Sequence, residues 1–173
     1  MCATSIRLTL FNLIVLTGLL QTGLRVVLAQ DEIAVNTGVK KLIFHSEILT
    51  QDRIVTIAVP RSFPDTSLRY PLLIVLDGED FFYPIASMVD YYTRIGRCPE
   101  LLVVGINASD RWQDYTPTNA TIPDGTPVPT SGKAGVFLEY IHGELIPFLE
   151  SIYPLTPFRI IYGHSIAGLF VVN

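Results

Sequence analysis

Ser165 sits in the run Gly163-His164-Ser165-Ile166-Ala167, with Gly168 next, and the residues before it, 159–162, have the β-branched and aromatic character of a buried strand. A serine hydroxyl becomes a useful nucleophile only where the backbone presents it. A sharp strand-to-helix turn does so at the carboxyl end of the strand, where the next helix aims its dipole and free N–H groups at a developing oxyanion. Such a turn strains the serine and leaves no room for large side chains two positions to either side, which accounts for Gly163 and Ala167, with Gly168 following. The chemistry indicated is attack on a carbonyl carbon with a covalent acyl intermediate. A purely structural turn is the plain alternative. A phosphate loop is excluded because Leu169 stands where such a loop carries lysine. His164 is next to the serine in sequence, which does not bring its ring to the hydroxyl, and it reads as structural.

An oxyanion needs two donors. The backbone N–H after the nucleophile, that of Ile166, is one, and the loop after the third strand supplies the other. That loop reads Asp77-Gly78-Glu79-Asp80, and the donor assigned is the N–H of Glu79, just after the glycine. A divalent metal held by Asp77, Glu79 and Asp80 is the rival reading; it lacks further ligands at the regular spacing of a calcium loop, so no metal is assigned.

The elements that must position these groups follow in order. Residues 40–49 and 52–60 alternate apolar and polar positions and predict an antiparallel entry hairpin. Residues 72–76 are five consecutive aliphatics, the pattern of a strand covered on both faces. From Pro84 the residues Ile85, Met88, Val89, Tyr92 and Ile95 fall at helical spacing up to Gly96, predicting an amphipathic helix with proline in its first turn. A second aliphatic strand, 101–106, completes a right-handed parallel crossover. Residues 107–133 hold four prolines and no periodicity, and predict a long lid or binding loop, with a disordered insertion as the alternative. Phe137, Ile141, Leu145, Phe148, Leu149 and Ile152 predict a second helix, bent where Pro147 removes a bond to the Gly143 carbonyl. The strand 158–162 and the serine turn come last. The succession is that of an α/β protein, the N-terminal half of an α/β-hydrolase fold: a mostly parallel sheet with an antiparallel entry hairpin, helices on both faces, ending after the nucleophile turn.

The chain has 173 residues, 49% hydrophobic, with a formal net charge of -4 and no basic run, so nucleic acid is not an expected partner. Residues 8–20 form an apolar run behind Arg7, and Val27 and Ala29 suit a cleavage site, so residues 1–29 read as an export signal and 30–173 as the mature domain. An uncleaved membrane anchor is the alternative; the run falls short of the roughly 20 residues a bilayer requires. The expected location is periplasmic or extracellular, without stable membrane association after cleavage. Cys98 is then alone and reads as a bystander thiol. Asn107 and Asn119 open glycosylation sequons that matter only in a eukaryotic source.

Taken in order, "HSEIL", "DRIVTIAVP", "RYPLLIVLDGEDFF", "LLVVGINASDRWQDYTPT", "FLEYIHGELIPFLESIYP" and "IIYGHSIAGLF" resemble the putative esterase family of α/β-hydrolases, which includes siderophore esterases, esterase D and the mycolyltransferases. The resemblance implies a nucleophile at Ser165, oxyanion donors at Glu79 and Ile166, a small-molecule ester substrate and no cofactor. It also marks Arg111 and Asp114, which either pair to hold the active-site loop or meet substrate. Ala167 replaces the family's usual glycine, a small-for-small change. In this fold the acid and histidine of the triad follow the serine in sequence. They are expected beyond residue 173, and the chain alone is expected to turn over little. Acyl transfer on the same fold, and a non-catalytic binding protein, are the alternatives.

Overall fold

The protein is described by a computed structural model covering residues 38–65 and 67–173; the segment read as an export signal lies outside them. Strands β1 (Val39–Ser46) and β2 (Gln51–Ala58) form the expected antiparallel hairpin, with Ser46 opposite Gln51. Strands β3 (Tyr70–Leu76) and β4 (Leu102–Ile106) run parallel, from Leu72 opposite Leu102 to Leu76 opposite Ile106. Their residues are buried apart from the half-buried Pro71, which is why both read as unbroken aliphatic runs. The last strand of the sheet, Leu155–Tyr162, lies parallel to β3 on its other side, with Val75 opposite Tyr162. Two short strands in the intervening segment, β5 (Ala120–Thr121) and β6 (Pro127–Val128), pair with each other, so the last strand is β7. The main sheet has the order β1-β2-β4-β3-β7 and is mixed, with helices on both faces.

One face, carrying Leu73, Val75 and Val103, is covered by helix α1 (Gly78–Arg94) through Phe81, Phe82, Ile85, Ala86 and Val89. The helix starts six residues earlier than Pro84 predicts, and the proline lies inside it. Two glycines fix its phase. A Cβ on Gly78 would come within 2.9 Å of the Gly105 and Ile106 backbone, and one on Gly105 within 2.8 Å of the Phe82 ring. That contact turns Phe82 inward and leaves Met88, Tyr92 and Ile95, three of the predicted contact residues, exposed. Cys98 is a half-buried free thiol at the edge of this cluster.

The other face packs Leu72, Ile74, Leu102 and Val104 against Phe137, Tyr140, Leu145, Phe148 and Leu149. These come from α3 (Ala134–Tyr140), α4 (Ile146–Ile152) and the π-helical turn that joins them, Ile141–Leu145. Where a bend is expected at Pro147 the helix has a π-helical turn: the Ile146 N–H donates to the Ile141 carbonyl five residues back, widening the turn just before the proline. The widened turn presents Glu144 to the β1–β2 hairpin. Its carboxylate accepts from Ser46 Oγ at 2.5 Å and from the Glu47 and Ile48 N–H groups at 3.0 Å.

The segment 107–133, expected to be a long lid or binding loop, carries short regular elements. Besides β5 and β6 it holds helix α2 (Arg111–Tyr115), capped by Asp110, whose Oδ1 accepts from the Trp112 and Gln113 N–H groups. Five residues are too few to show a helical period. Strand β7 is the outer strand of the sheet among the described residues, with Phe158 63% exposed.

Candidate active site

Between β7 and helix α5 (Ile166–Val172) the chain turns at Ser165, which has φ 57° and ψ −119°. Few L-residues hold that conformation; its cost is about 1–3 kcal/mol, and it persists only where the surroundings impose it. Here they do. The Ala167 N–H donates to the His164 carbonyl and the Leu169 N–H to the Ser165 carbonyl, each at 3.1 Å, while Ala167 is fully buried beneath the turn. A Cβ on Gly163 would lie 2.3 Å from the Ala167 oxygen and 2.5 Å from its carbonyl carbon. The small-residue bracket read from the sequence is thus a contact between the end of β7 and the start of α5. Gly163→Ala is expected to cost at least about 3 kcal/mol, because the obstacle is backbone; a denaturant melt showing less than about 1 kcal/mol would contradict this contact.

The Ser165 side chain is exposed, and its hydroxyl does not cap α5. The Ile166 N–H is in the first turn of that helix, where no carbonyl lies four residues back within the helix.

A second turn of the same design leaves the adjacent strand. β3 ends at Leu76, Asp77 takes φ 49° and ψ 52°, and α1 begins at Gly78. Because Val75 lies opposite Tyr162 in a parallel pair, both turns emerge side by side at the carboxyl edge of the sheet. The Asp80 and Phe81 N–H groups both donate to the Asp77 carbonyl at 3.0 Å, which leaves those of Gly78 and Glu79 as the first donors of α1. Glu79 is therefore the second residue of a helix rather than part of a loop. Its carboxylate accepts from the Ala108 N–H at 3.1 Å, tying α1 to the chain after β4. The Phe81 ring packs on Tyr162 and on His164, at centroid distances of 5.6 and 5.3 Å, so the His164 ring rests against an aromatic side chain.

Arg111 and Asp114 do not pair with each other. The Arg111 guanidinium donates twice to the Asp77 carboxylate, each bond 2.9 Å, and Asp114 accepts from Arg53 at 2.6 and 2.8 Å. Asp77 is 2% exposed and its partner 44%, whereas Arg53 and Asp114 are both 1% exposed. On α2, Asp114 faces the core and Arg111 the end of β3, so each finds a different partner. Sequence reasoning missed Arg53 and Tyr115. Arg53 carried a signal, since it shares the inward positions of β2 with Val55 and Ile57, where a charge demands a buried counter-charge. Tyr115 is fully buried; burial pushes its phenol far above the usual range, and its Oη accepts from the Asp77 N–H at 3.2 Å.

None of the described histidines is brought to Ser165 as a base. His45 hydrogen-bonds Asp52 through Nδ1 at 2.6 Å, a bond that raises its pKa above the ordinary 6.5, and it sits in β1, four strand spacings or about 19 Å from β7. His142 lies on the π turn that grips the β1–β2 hairpin. Among the described residues no group of three or more His, Cys, Asp or Glu is disposed to hold a metal ion. Two surface clefts, one lined by Phe63, Arg69, Glu150 and Arg159 and the other by Arg61, Tyr83 and Asp90, include neither turn.

The sequence profile of the family described as putative esterase matches residues 46–173. The chain is 32% identical over 131 residues to the ferri-bacillibactin esterase BesA of Bacillus subtilis, covering 65% of this chain and 44% of that protein. It is 28% identical over 127 residues to the uncharacterised protein YbbA of the same organism, covering 72% and 51%. The chain thus spans about half the length of the curated relatives it matches. Among solved structures, an IroE-like serine hydrolase from Shewanella oneidensis superposes with a TM-score of 0.72 at 32% identity, over 76% of this chain and 44% of that one. The enterobactin esterase FES from Shigella flexneri superposes at 0.61 with 23% identity, over 79% and 32%, a likeness of fold. The family match runs from the end of β1 through both turns into α5, and the chain belongs to the putative esterase family of the α/β-hydrolase fold.

Proposed function

We propose that the protein hydrolyses carboxylic esters of small molecules through an acyl-enzyme at Ser165. The observation that carries this reading is the backbone of Ser165, φ 57° and ψ −119°, at the carboxyl edge beside a second turn with free helix-start donors. In the reaction Ser165 Oγ attacks the ester carbonyl carbon as its proton passes to a general base. The carbonyl oxygen takes up the negative charge and is met by the N–H groups of Ile166 and Glu79. The alcohol leaves with a proton from the base, and water then repeats the sequence on the acyl-enzyme. The names of two relatives, a ferri-bacillibactin esterase and an enterobactin esterase, make siderophore esters the substrates to try first. Export rests on the pattern of residues 1–29.

The histidine and its acid partner belong, on this reading, to sequence outside these 173 residues. Residues 30–173 alone are then expected to hydrolyse a p-nitrophenyl ester little above background, since an unassisted serine is a poor nucleophile. Robust turnover by residues 30–173, abolished by Ser165→Ala, would mean that the base lies within them. In the full-length protein a fluorophosphonate is expected to label Ser165. A folded protein that resists labelling there would instead be a binding protein on an esterase fold, and ester rather than acid as product in the presence of an alcohol would assign acyl transfer.

A further inference from the structure

Left-handed backbone at a non-glycine residue is held only where its surroundings over-determine it, and for Asp77 the surroundings come largely from one short helix. The Asp77 N–H, turned away at the end of β3, is accepted by Tyr115 Oη at 3.2 Å. Its carboxylate is held in the two-pronged grip of Arg111. Both partners belong to α2, whose own placement is fixed by the buried Asp114–Arg53 pair. The Tyr115 ring also packs on Phe170 of α5, centroids 6.0 Å apart, so α2 reaches both turns of the site. Electrostatics adds a second demand. A bare carboxylate at Asp77, one and two residues from the donors at Gly78 and Glu79, would repel an oxyanion bound there; the Arg111 guanidinium cancels that charge.

We infer that Arg111 and Tyr115 are positioning residues that hold residues 77–79 with the Gly78 and Glu79 N–H groups turned out beside Ser165, Arg111 also neutralising Asp77. The catalytic purpose of this arrangement rests on the reading of Ser165 as nucleophile; the arrangement itself does not. Two measurements on the full-length protein separate them. In Tyr115→Phe and Arg111→Gln, amide hydrogen exchange at Asp77, Asp80 and Phe81 is expected to rise about tenfold while the β1–β2 hairpin is unchanged. Unchanged exchange at those three amides, or a uniform rise across the protein, would overturn the inference whatever the chemistry of Ser165.

The second measurement is the rate of fluorophosphonate labelling at Ser165. Arg111→Gln is expected to slow it by about 100-fold, the scale of losing one oxyanion donor, and Asp77→Asn combined with Arg111→Gln to restore most of the rate, because the uncompensated charge is gone. A double variant as slow as the single one would overturn the charge-cancelling role. A wild-type protein that does not label at all would overturn the catalytic reading, and the exchange result would still decide whether α2 holds the turn.

Discussion

Replacing Ser165 with glycine is expected to raise the melting temperature while removing every covalent adduct at the turn. The residue occupies φ 57°, ψ −119°, a conformation costing about 1–3 kcal/mol for a side chain with a Cβ and little for glycine. The greater freedom of glycine in the unfolded chain takes back about 0.5–1 kcal/mol. The hydroxyl caps nothing in α5, so no cap is lost. A net gain of about 1 kcal/mol corresponds to a rise of about 2–4 °C in a domain of this size. Ser165→Ala keeps the Cβ and the strain, and is expected to melt like the wild type. On the proposed mechanism, both variants of the full-length protein are expected to lose turnover by a factor on the order of 10⁶, the effect of deleting a serine nucleophile. Differential scanning calorimetry and ester hydrolysis check the pair: a lowered Tm in Ser165→Gly would show that the turn is not strained, and retained hydrolysis in Ser165→Ala that the nucleophile lies elsewhere.

Asp114→Ala is expected to destabilise the fold by about 3–5 kcal/mol, because it leaves the Arg53 guanidinium buried without its counter-ion. Arg53 has no outlet to solvent: it is 1% exposed, its Nε has no hydrogen-bond partner among the described residues, and its guanidinium lies 5.4 Å from the centre of the Phe137 ring. Both terminal nitrogens are spent on Asp114. Against a typical total of about 5–15 kcal/mol, that loss brings the protein close to unfolding at ordinary temperature. Arg53→Met combined with Asp114→Leu removes both charges and fills similar volume, and is expected to recover most of the loss. Urea midpoints of the single and double variants give the comparison; a single variant within about 1 kcal/mol of wild type would mean that water reaches Arg53 once Asp114 is gone.

What the sequence makes legible follows the range of the forces involved. β3 and β4 are readable because burial on both faces writes itself into consecutive residues. The elbow is readable because its constraint links Gly163 to Ala167, four positions apart. The start of α1 is misplaced in the sequence reading because Pro84 suits a first helical turn, while the contact that fixes the helix joins Gly78 to Gly105 from another strand. Helix α2 is shorter than two turns and has no period to detect. Arg53 and Asp114 are 61 residues apart, and nothing local tells either which partner it will meet. Pro147 announces an irregularity, but its form as a π turn answers to Glu144 and the hairpin, a tertiary matter.

Gly105, Gly163 and Gly78 differ in how far a neighbour could compensate for their loss. A Cβ on Gly105 would strike the Phe82 ring at 2.8 Å and the Phe82 Cβ at 2.9 Å, so a smaller residue at position 82 would relieve the ring contact and leave the one at Cβ. On Gly163 it would strike the Ala167 carbonyl, and on Gly78 the Gly105 and Ile106 backbone, obstacles that no substitution shortens. At the two turns no exchange of side chains removes the obstacle. The glycines beside Ser165 and Asp77 are therefore fixed by backbone meeting backbone before any demand of chemistry is counted.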